Sequence, residues 1–349
     1  MAVMHTIKQR GVRKSPVMAM APKYFDLDLT ECQVSEGGEA DLQKHFVNCR
    51  KNPCHLKFIP IKDFYINHFP EKYQDDDLYQ FIKSVADLTV RVGVKMTSPD
   101  RLEFWPLTNS PYPFYHLRNE STLRVGSGRI YVYKYVNGLG FDGDGDECDE
   151  HGFKYERDYK TCPCKKCQQS SNVWWEIHVD TAAHVVFDDL EARHTSCRLF
   201  FDERNCPVVN LEMGRIDTVN IMDDFCRLKY VTCDVTLGNK LFEMVQRHCE
   251  FWKKVRNKFI MKPTSNFIFI VSHPHGCHKH ISFGYQVNNR TISDLNDDLV
   301  TTKLTYTAST CPGSSGAKVN CVGIPCGHVH SGTSVYGQIN CSNISIYLK

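Results

Sequence analysis

No run of about 18 uncharged apolar residues occurs anywhere in the 349-residue sequence, so nothing in it reads as a membrane-spanning helix. Met1 to Pro22 lacks the apolar core of a secretory leader and instead carries Lys8, Arg10, Arg13 and Lys14. These two absences make the cytoplasm the expected compartment and leave no membrane partner. An excess of charge of either sign is also missing: 42 Lys and Arg face 40 Asp and Glu, a formal net charge of +2. With that balance, and without a basic patch interleaved with aromatics, nucleic acid is not an expected partner. No motif recurs at a spacing of about 20 to 50 residues, which excludes solenoids and propellers.

Cysteine, by contrast, is abundant, and its count of 17 is odd. Without a leader, reduced thiols and at most one metal site fit better than a disulfide framework. Hydrophobic residues make up 42% of the chain, enough to build sizeable cores. Residues 1–30 read as a flexible basic arm, and 31–115 as a helical and irregular extension closing in a linker around Pro99, Pro106, Pro111 and Pro113. Within it, Asp75, Asp76 and Asp77 precede Leu78, Phe81, Ile82, Val85 and Leu88 at helical spacing, which predicts an amphipathic helix ending near Arg91.

Beyond residue 115 the texture is β. Short β-branched or aromatic runs at 129–135, 174–179, 197–201, 230–235, 267–272 and 281–285 predict a mostly β barrel or sandwich, interrupted by one helix over 237–255. Three segments in it carry the parts of acyl-transfer chemistry. In Cys311-Pro-Gly-Ser-Ser-Gly-Ala317, two glycines flank Ser315, so the chain can bend sharply and aim the N–H groups of Gly313 and Ser315 at one point. In Thr181-Ala-Ala-His184, small residues after an apolar strand let His184 face a cleft. In Tyr230-Val-Thr-Cys-Asp234, a carboxylate interrupts a β-forming run and would be costly to bury unless paired, for which His184 is the expected partner.

These segments resemble the trypsin-like, or chymotrypsin-fold, serine peptidases. T-A-A-H at 181–184 is that family's histidine motif, Asp234-Val-Thr-Leu237 is similar to its Asp-[Ile/Val]-x-Leu, and Gly313-Ser-Ser-Gly-Ala317 to its Gly-Asp-Ser-Gly-Gly. The order His, Asp, Ser is also the family's. The resemblance implies a chymotrypsin-like double β-barrel over 116–349, with His184, Asp234 and Ser315 as catalytic triad and Gly313 and Ser315 as oxyanion hole. Gly126-Ser-Gly128 and Ser272-His-Pro-His-Gly276 are similar to turns of bacterial and HtrA-like members. Ser314 replaces the Asp that pairs with a new N-terminus in activated trypsins, which points to an oxyanion hole formed without that step.

The resemblance also places the primary specificity pocket along Gly327-His-Val-His-Ser-Gly332, with Ser309, Thr310, His328, His330, Ser331 and Gly332 as its residues. An imidazole there suits an acidic or amide side chain on a peptide or protein substrate. Catalysis of this kind needs no cofactor. A structural zinc is the one metal the sequence suggests, held by Cys148, His151, Cys164 and Cys167 in a Cys-rich insertion at about 137–172. Cys32, His45, Cys49, Cys54 and His55 also have usable spacings but no anchoring Cys-x2-Cys, and read as thiols in a small packing unit. His273, His275, Cys277, His278 and His280 read as a turn. The expected function is therefore a serine endopeptidase, and the alternative is a catalytically silent peptidase-like module that binds other proteins.

Overall fold

The computed structural model describes residues 29–147, 154–164, 171–260, 266–295, 299–334 and 339–348. In chain order its strands are β1 (Leu29–Thr30), β2 (Gln33–Ser35), β3 (Ile59–Pro60), β4 (Thr89–Val94), β5 (Leu123–Val136), β6 (Leu139–Phe141), β7 (Val173–Thr181), β8 (Thr195–Leu199) and β9 (Val209–Glu212). They continue with β10 (Arg215–Asn220), β11 (Phe225–Thr232), β12 (Phe267–Ser272), β13 (His280–Asp294), β14 (Leu299–Tyr306), β15 (Val319–Cys321), β16 (His330–Thr333) and β17 (Asn340–Leu348). The α-helices are α1 (Leu42–Val47), α2 (Asp76–Asp87), α3 (Asp189–Arg193) and α4 (Val235–Phe259).

The strands form two antiparallel sheets. One runs β10-β11-β7-β5-β4-β8-β9, with β2 and β6 also paired to β5; the other runs β1-β16-β17-β14-β13-β12-β15, with β3 on β13. Alternation explains the cores: Val90, Val92, Ile130, Val132, Ile177 and Val179 fill the first sheet, and Ile268, Ile270, Leu304 and Val319 the second. The second sheet curls until its ends meet, Val319 N–H donating to His328 O (2.9 Å) and His330 N–H to Ala317 O (2.7 Å). Two curled half-barrels with helices at their margin are the chymotrypsin-like double barrel that the resemblance implies. No helix of the described residues is long and apolar enough to cross a membrane.

Helix α2 begins where expected, the Asp75 carboxylate accepting the Leu78 N–H at 3.1 Å. It ends at Asp87 rather than near Arg91, because Thr89-Val-Arg-Val-Gly-Val94 is β-branched at alternate positions and becomes β4. Its apolar face, Leu78, Phe81, Ile82 and Val85, packs on Phe267, Phe269 and Val271 of β12 and on Val255 and Phe259 of α4. The 31–115 segment is therefore not a separate extension. Strand β4 lies between β5 and β8 inside the first sheet, and β2 joins β5. The strands were hidden because they are short and separated by proline-rich connections. Residues 1–28 of the expected arm lie outside the described residues, and 29–30 form β1.

Candidate active site

Between the sheets the 311–317 turn is pinned from both sides. Gly313 and Gly316 take φ of +99° and +86°, and a Cβ there would fall 2.4 Å from His273 O and 2.1 Å from Thr181 Oγ1 respectively, so both positions require glycine. Ser127 of β5 ties this turn to the first sheet. Its hydroxyl donates to Gly313 O (2.8 Å) and accepts the His273 N–H (2.9 Å), while its own N–H donates to Ser315 O (2.7 Å). Gly126 is needed beside it, since a Cβ would lie 2.8 Å from Ser315 O. The Ser314 hydroxyl accepts the Cys311 N–H (3.2 Å) and lies 3.1 Å from Ser272 Oγ, bracing the turn from within.

His184 follows β7 on a turn closed by Val185 N–H to Ala182 O (3.0 Å), with Ala182, Ala183 and the His184 ring all fully buried. Its Nε2 lies 2.8 Å from Ser315 Oγ. Its Nδ1 lies 2.8 and 3.0 Å from the two oxygens of Asp224, not near Asp234. Asp234 is exposed, and its carboxylate accepts the Leu237 N–H at 3.0 Å, capping α4. The Asp-x-x-Leu pattern there is a helix start, in which a short acidic side chain satisfies an orphan donor.

Asp224 occupies the tight turn between β10 and β11, at φ +51°. The antiparallel register of β11 on β7 pairs Cys226 with Thr181, which brings this turn to the 182–184 segment. Besides the ring, Asp224 accepts the His184 main-chain N–H (2.9 Å) and the Ser331 hydroxyl (2.5 Å). Burial alone would raise its pKa, but the His184 ring and these donors outweigh that and hold it below the usual carboxylate range. Asp224 evaded the sequence reading because Phe225-Cys226-Arg227 follows it instead of [Ile/Val]-x-Leu. Its one local signal was an acidic residue in a turn ahead of an apolar strand. A buried ion-paired group supports the histidine from behind: Arg101 donates to His184 O (3.0 Å) and, with Arg124, holds Glu191 at 2.7 and 2.8 Å.

The N–H groups of Gly313 and Ser315 converge as expected, and the atom they converge on is the main-chain oxygen of Glu31, at 2.6 and 3.2 Å. The Glu31 N–H points to Ser331 O (3.4 Å) and lies 3.1 Å from Ser315 Oγ. Just upstream, β1 pairs antiparallel with β16, Thr30 opposite Gly332 and Leu29 opposite Thr333. A side chain at Gly332 would sit 2.3 Å from Leu29 O.

The Glu31 side chain is buried in a polar pocket. His330 Nε2 lies 2.7 Å from one carboxylate oxygen, and Lys51 pairs with the other while also bonding Thr310 Oγ1 (3.1 Å) and Asn340 Oδ1 (2.9 Å). The Tyr306 hydroxyl, 2.6 Å from His330 Nδ1, suits the tautomer that donates from Nε2. Although burial raises the Glu31 pKa, the His330 and Lys51 contacts more than reverse this, leaving it at about 2. Of the expected pocket residues, His330, Thr310, Ser331 and Gly332 thus surround Glu31 or its strand. His328 does not: it lies two residues before β16 begins, and its Nε2 turns to Thr302 O (2.9 Å). Ser309 is nearly buried and uses its carbonyl to accept the Ser282 hydroxyl (2.6 Å). Lys51 and Asn340 were not foreseen.

Close to this pocket four side chains of metal-binding type meet. Cys49, His55, His275 and Cys311 are all buried, and one donor atom from each lies within 4.8 Å of every other. Cys49 and His55 come from one group that the sequence left apart, His275 from the other and Cys311 from the 311–317 turn, and contact between α1 and the 274–276 turn brings the two groups together. Of the expected zinc ligands, Cys148, His151 and Cys167 lie outside the described residues; Cys164 is half-buried, its N–H 3.4 Å from Cys162 Sγ.

No protein-family model and no curated protein matches the sequence. Among solved structures the chain is similar to an HtrA-type protease, AlgW, with a tripeptide, at 13% identity over 76% of this chain and 59% of that one, with a TM-score of 0.35. It is also similar to the Rv3671c protease from M. tuberculosis in its active form, at 10% identity over 77% of this chain and 82% of that one, with a TM-score of 0.37. The chain therefore spans about three-fifths of the AlgW structure it matches. These likenesses concern the path of the chain and carry no residue roles.

Proposed function

We propose that this chain is a serine endopeptidase that cleaves after acidic residues, with Ser315 as nucleophile, His184 as base and acid, and Asp224 as the group that orients the imidazole. The observation that carries the reading is the unbroken line Asp224, His184, Ser315 beside two N–H groups aimed at a single carbonyl oxygen. Ser315 Oγ attacks the scissile carbonyl carbon while its proton passes to His184 Nε2. The charge gathering on the carbonyl oxygen is stabilised by the Gly313 and Ser315 N–H groups, and that on the imidazole by Asp224. Collapse breaks the C–N bond, and His184 gives the proton to the leaving amine. Water, deprotonated by the same nitrogen, then releases the acid. His330 and Lys51 would select a carboxylate in the residue before the cut, since removing two charged or polar partners from a buried site without one is costly.

Labelling with a fluorophosphonate probe, followed by mass spectrometry of the modified peptide, tests this. Ser315 is expected to react in the wild-type protein and not in Ser315→Ala or His184→Ala. A folded protein that hydrolyses no Glu-containing peptide and reacts at no serine would overturn the reading in favour of a silent, protein-binding module.

A further inference from the structure

Glu31 lies in the site as a substrate residue would, and it belongs to the same chain. Its carbonyl oxygen fills the oxyanion position, its side chain fills the acidic pocket, and β1 upstream extends the second sheet. Immediately downstream, Cys32 is buried and β2 crosses to the first sheet, pairing Gln33 with Val125 and Ser35 with Leu123. The chain thus traverses the cleft from one barrel to the other, as a bound polypeptide must, with the Glu31–Cys32 bond at the nucleophile. From this we infer that the protein cuts itself between Glu31 and Cys32, and that the cleft is closed to other substrates until it has done so.

The inference rests on the peptidase reading and adds its first substrate. In the step, Ser315 Oγ bonds to the Glu31 carbonyl carbon, the Glu31–Cys32 C–N bond breaks, and the hydroxyl proton moves through His184 to the Cys32 amine. One water then hydrolyses the ester, leaving residues 1–31 with a terminal carboxylate and a chain beginning at Cys32. Lys51, which pairs with the Glu31 carboxylate, lies on the retained side, so the pocket keeps its cation for later substrates.

Intact mass measurement and N-terminal sequencing of the full chain test it. Wild type is expected to appear as a form beginning at Cys32, Ser315→Ala to stay whole, and Glu31→Lys, whose ammonium Lys51 repels from the pocket so that the cleft stays open, to stay whole while still hydrolysing an added Glu-containing peptide. Wild type that hydrolyses such a peptide yet keeps residues 1–31 would overturn self-cleavage and leave the peptidase reading standing. Wild type that is whole and inactive, with a chain starting at Cys32 equally inactive, would remove both. Cutting of Glu31→Lys at the same bond would overturn the assignment of Glu31.

A separate observation carries a second proposal: the structure assigns a structural zinc site to Cys49, His55, His275 and Cys311. Cys311 Sγ lies 3.5 Å from both Cys49 Sγ and His55 Nε2, against edges of about 3.4 to 3.8 Å for tetrahedral zinc with two sulfur and two nitrogen ligands. His275 directs Nδ1 to Gln33 Oε1 (2.8 Å), which leaves its buried Nε2 with no hydrogen-bond partner among the described residues and able to ligate. Asn52 supports the sulfurs, its N–H 3.3 Å from Cys49 Sγ and its amide 3.1 Å from Cys311 Sγ. The ion would clamp the segment carrying Lys51 to the turn carrying Ser315.

Elemental analysis of the purified full chain is expected to give one zinc, lost in Cys311→Ser and His275→Ala and kept in Cys164→Ser. Should those two variants fail to fold, cobalt exchanged into the wild type gives the second readout, an absorption of tetrahedral cobalt with thiolate ligands. One zinc retained in the folded Cys311→Ser variant, or a Cys49–Cys311 disulfide in metal-free wild type, would overturn the site.

Discussion

Asp224 receives three hydrogen bonds, from the His184 ring, the His184 main chain and Ser331, and the first of these fixes which imidazole nitrogen carries the proton. Asp224→Asn would preserve shape while offering an N–H₂ or a neutral oxygen in its place. A loss of about 10⁴-fold in kcat is expected, with the melting temperature little changed. Asp234→Ala should do the opposite, costing about 1 kcal/mol of stability through the lost cap and leaving probe labelling intact. Thermal melting and labelling of the two variants side by side check both, and the reverse pattern would return the role to Asp234. The comparison also shows what was legible. Ser315 and His184 announce themselves because their geometry demands glycines and alanines in adjacent positions. A carboxylate needs no such neighbours, and whether it meets a histidine is decided by strand register, which sequence leaves open.

At the scale of elements, short strands were read closely, Phe267–Ser272 to the residue, because a buried strand requires a continuous apolar run. The misplaced boundary near 115 came from β4, whose six residues follow α2 with almost no connection. Two elements make direct predictions. α3 supplies Glu191, which is fully buried and holds Arg101 and Arg124, while also accepting the Ser98 and Phe187 N–H groups at 2.9 and 3.0 Å. Glu191→Ala would strand two guanidinium groups without a counter-charge, and a loss of about 3–5 kcal/mol in denaturant unfolding is expected. On β16, Gly332→Val would push a side chain into the path of β1. Self-cleavage, measured as a first-order rate, and hydrolysis of extended peptides, measured as kcat/KM, should then fall together, while reaction of Ser315 with a small fluorophosphonate is retained.

For the molecule as a whole, the docked Glu31 makes closure of the cleft sensitive to acid. Its carboxyl pKa is lowered from 4.5 to about 2 on docking, so the stabilisation is fully present above about 4.5 and is lost as the pH falls through 2. Burial lowers the pKa of His330 as well, against the raising effect of the Glu31 carboxylate. In the uncut Ser315→Ala chain, protection of the Gly313 amide, which donates to Glu31 O, taken relative to the intrinsic exchange rate at each pH, should fall between pH 4.5 and pH 2 more than that of core amides in β12. An equal fall at both would mean global unfolding instead.

The crossing of the cleft by the protein's own backbone has a kinetic consequence. A peptide bond delivered by a covalent tether is present at an effective concentration that no free substrate matches, so its scission is first order and indifferent to dilution. Each molecule can therefore mature alone, without a neighbour or an activating protease, on a clock that starts when the chain folds.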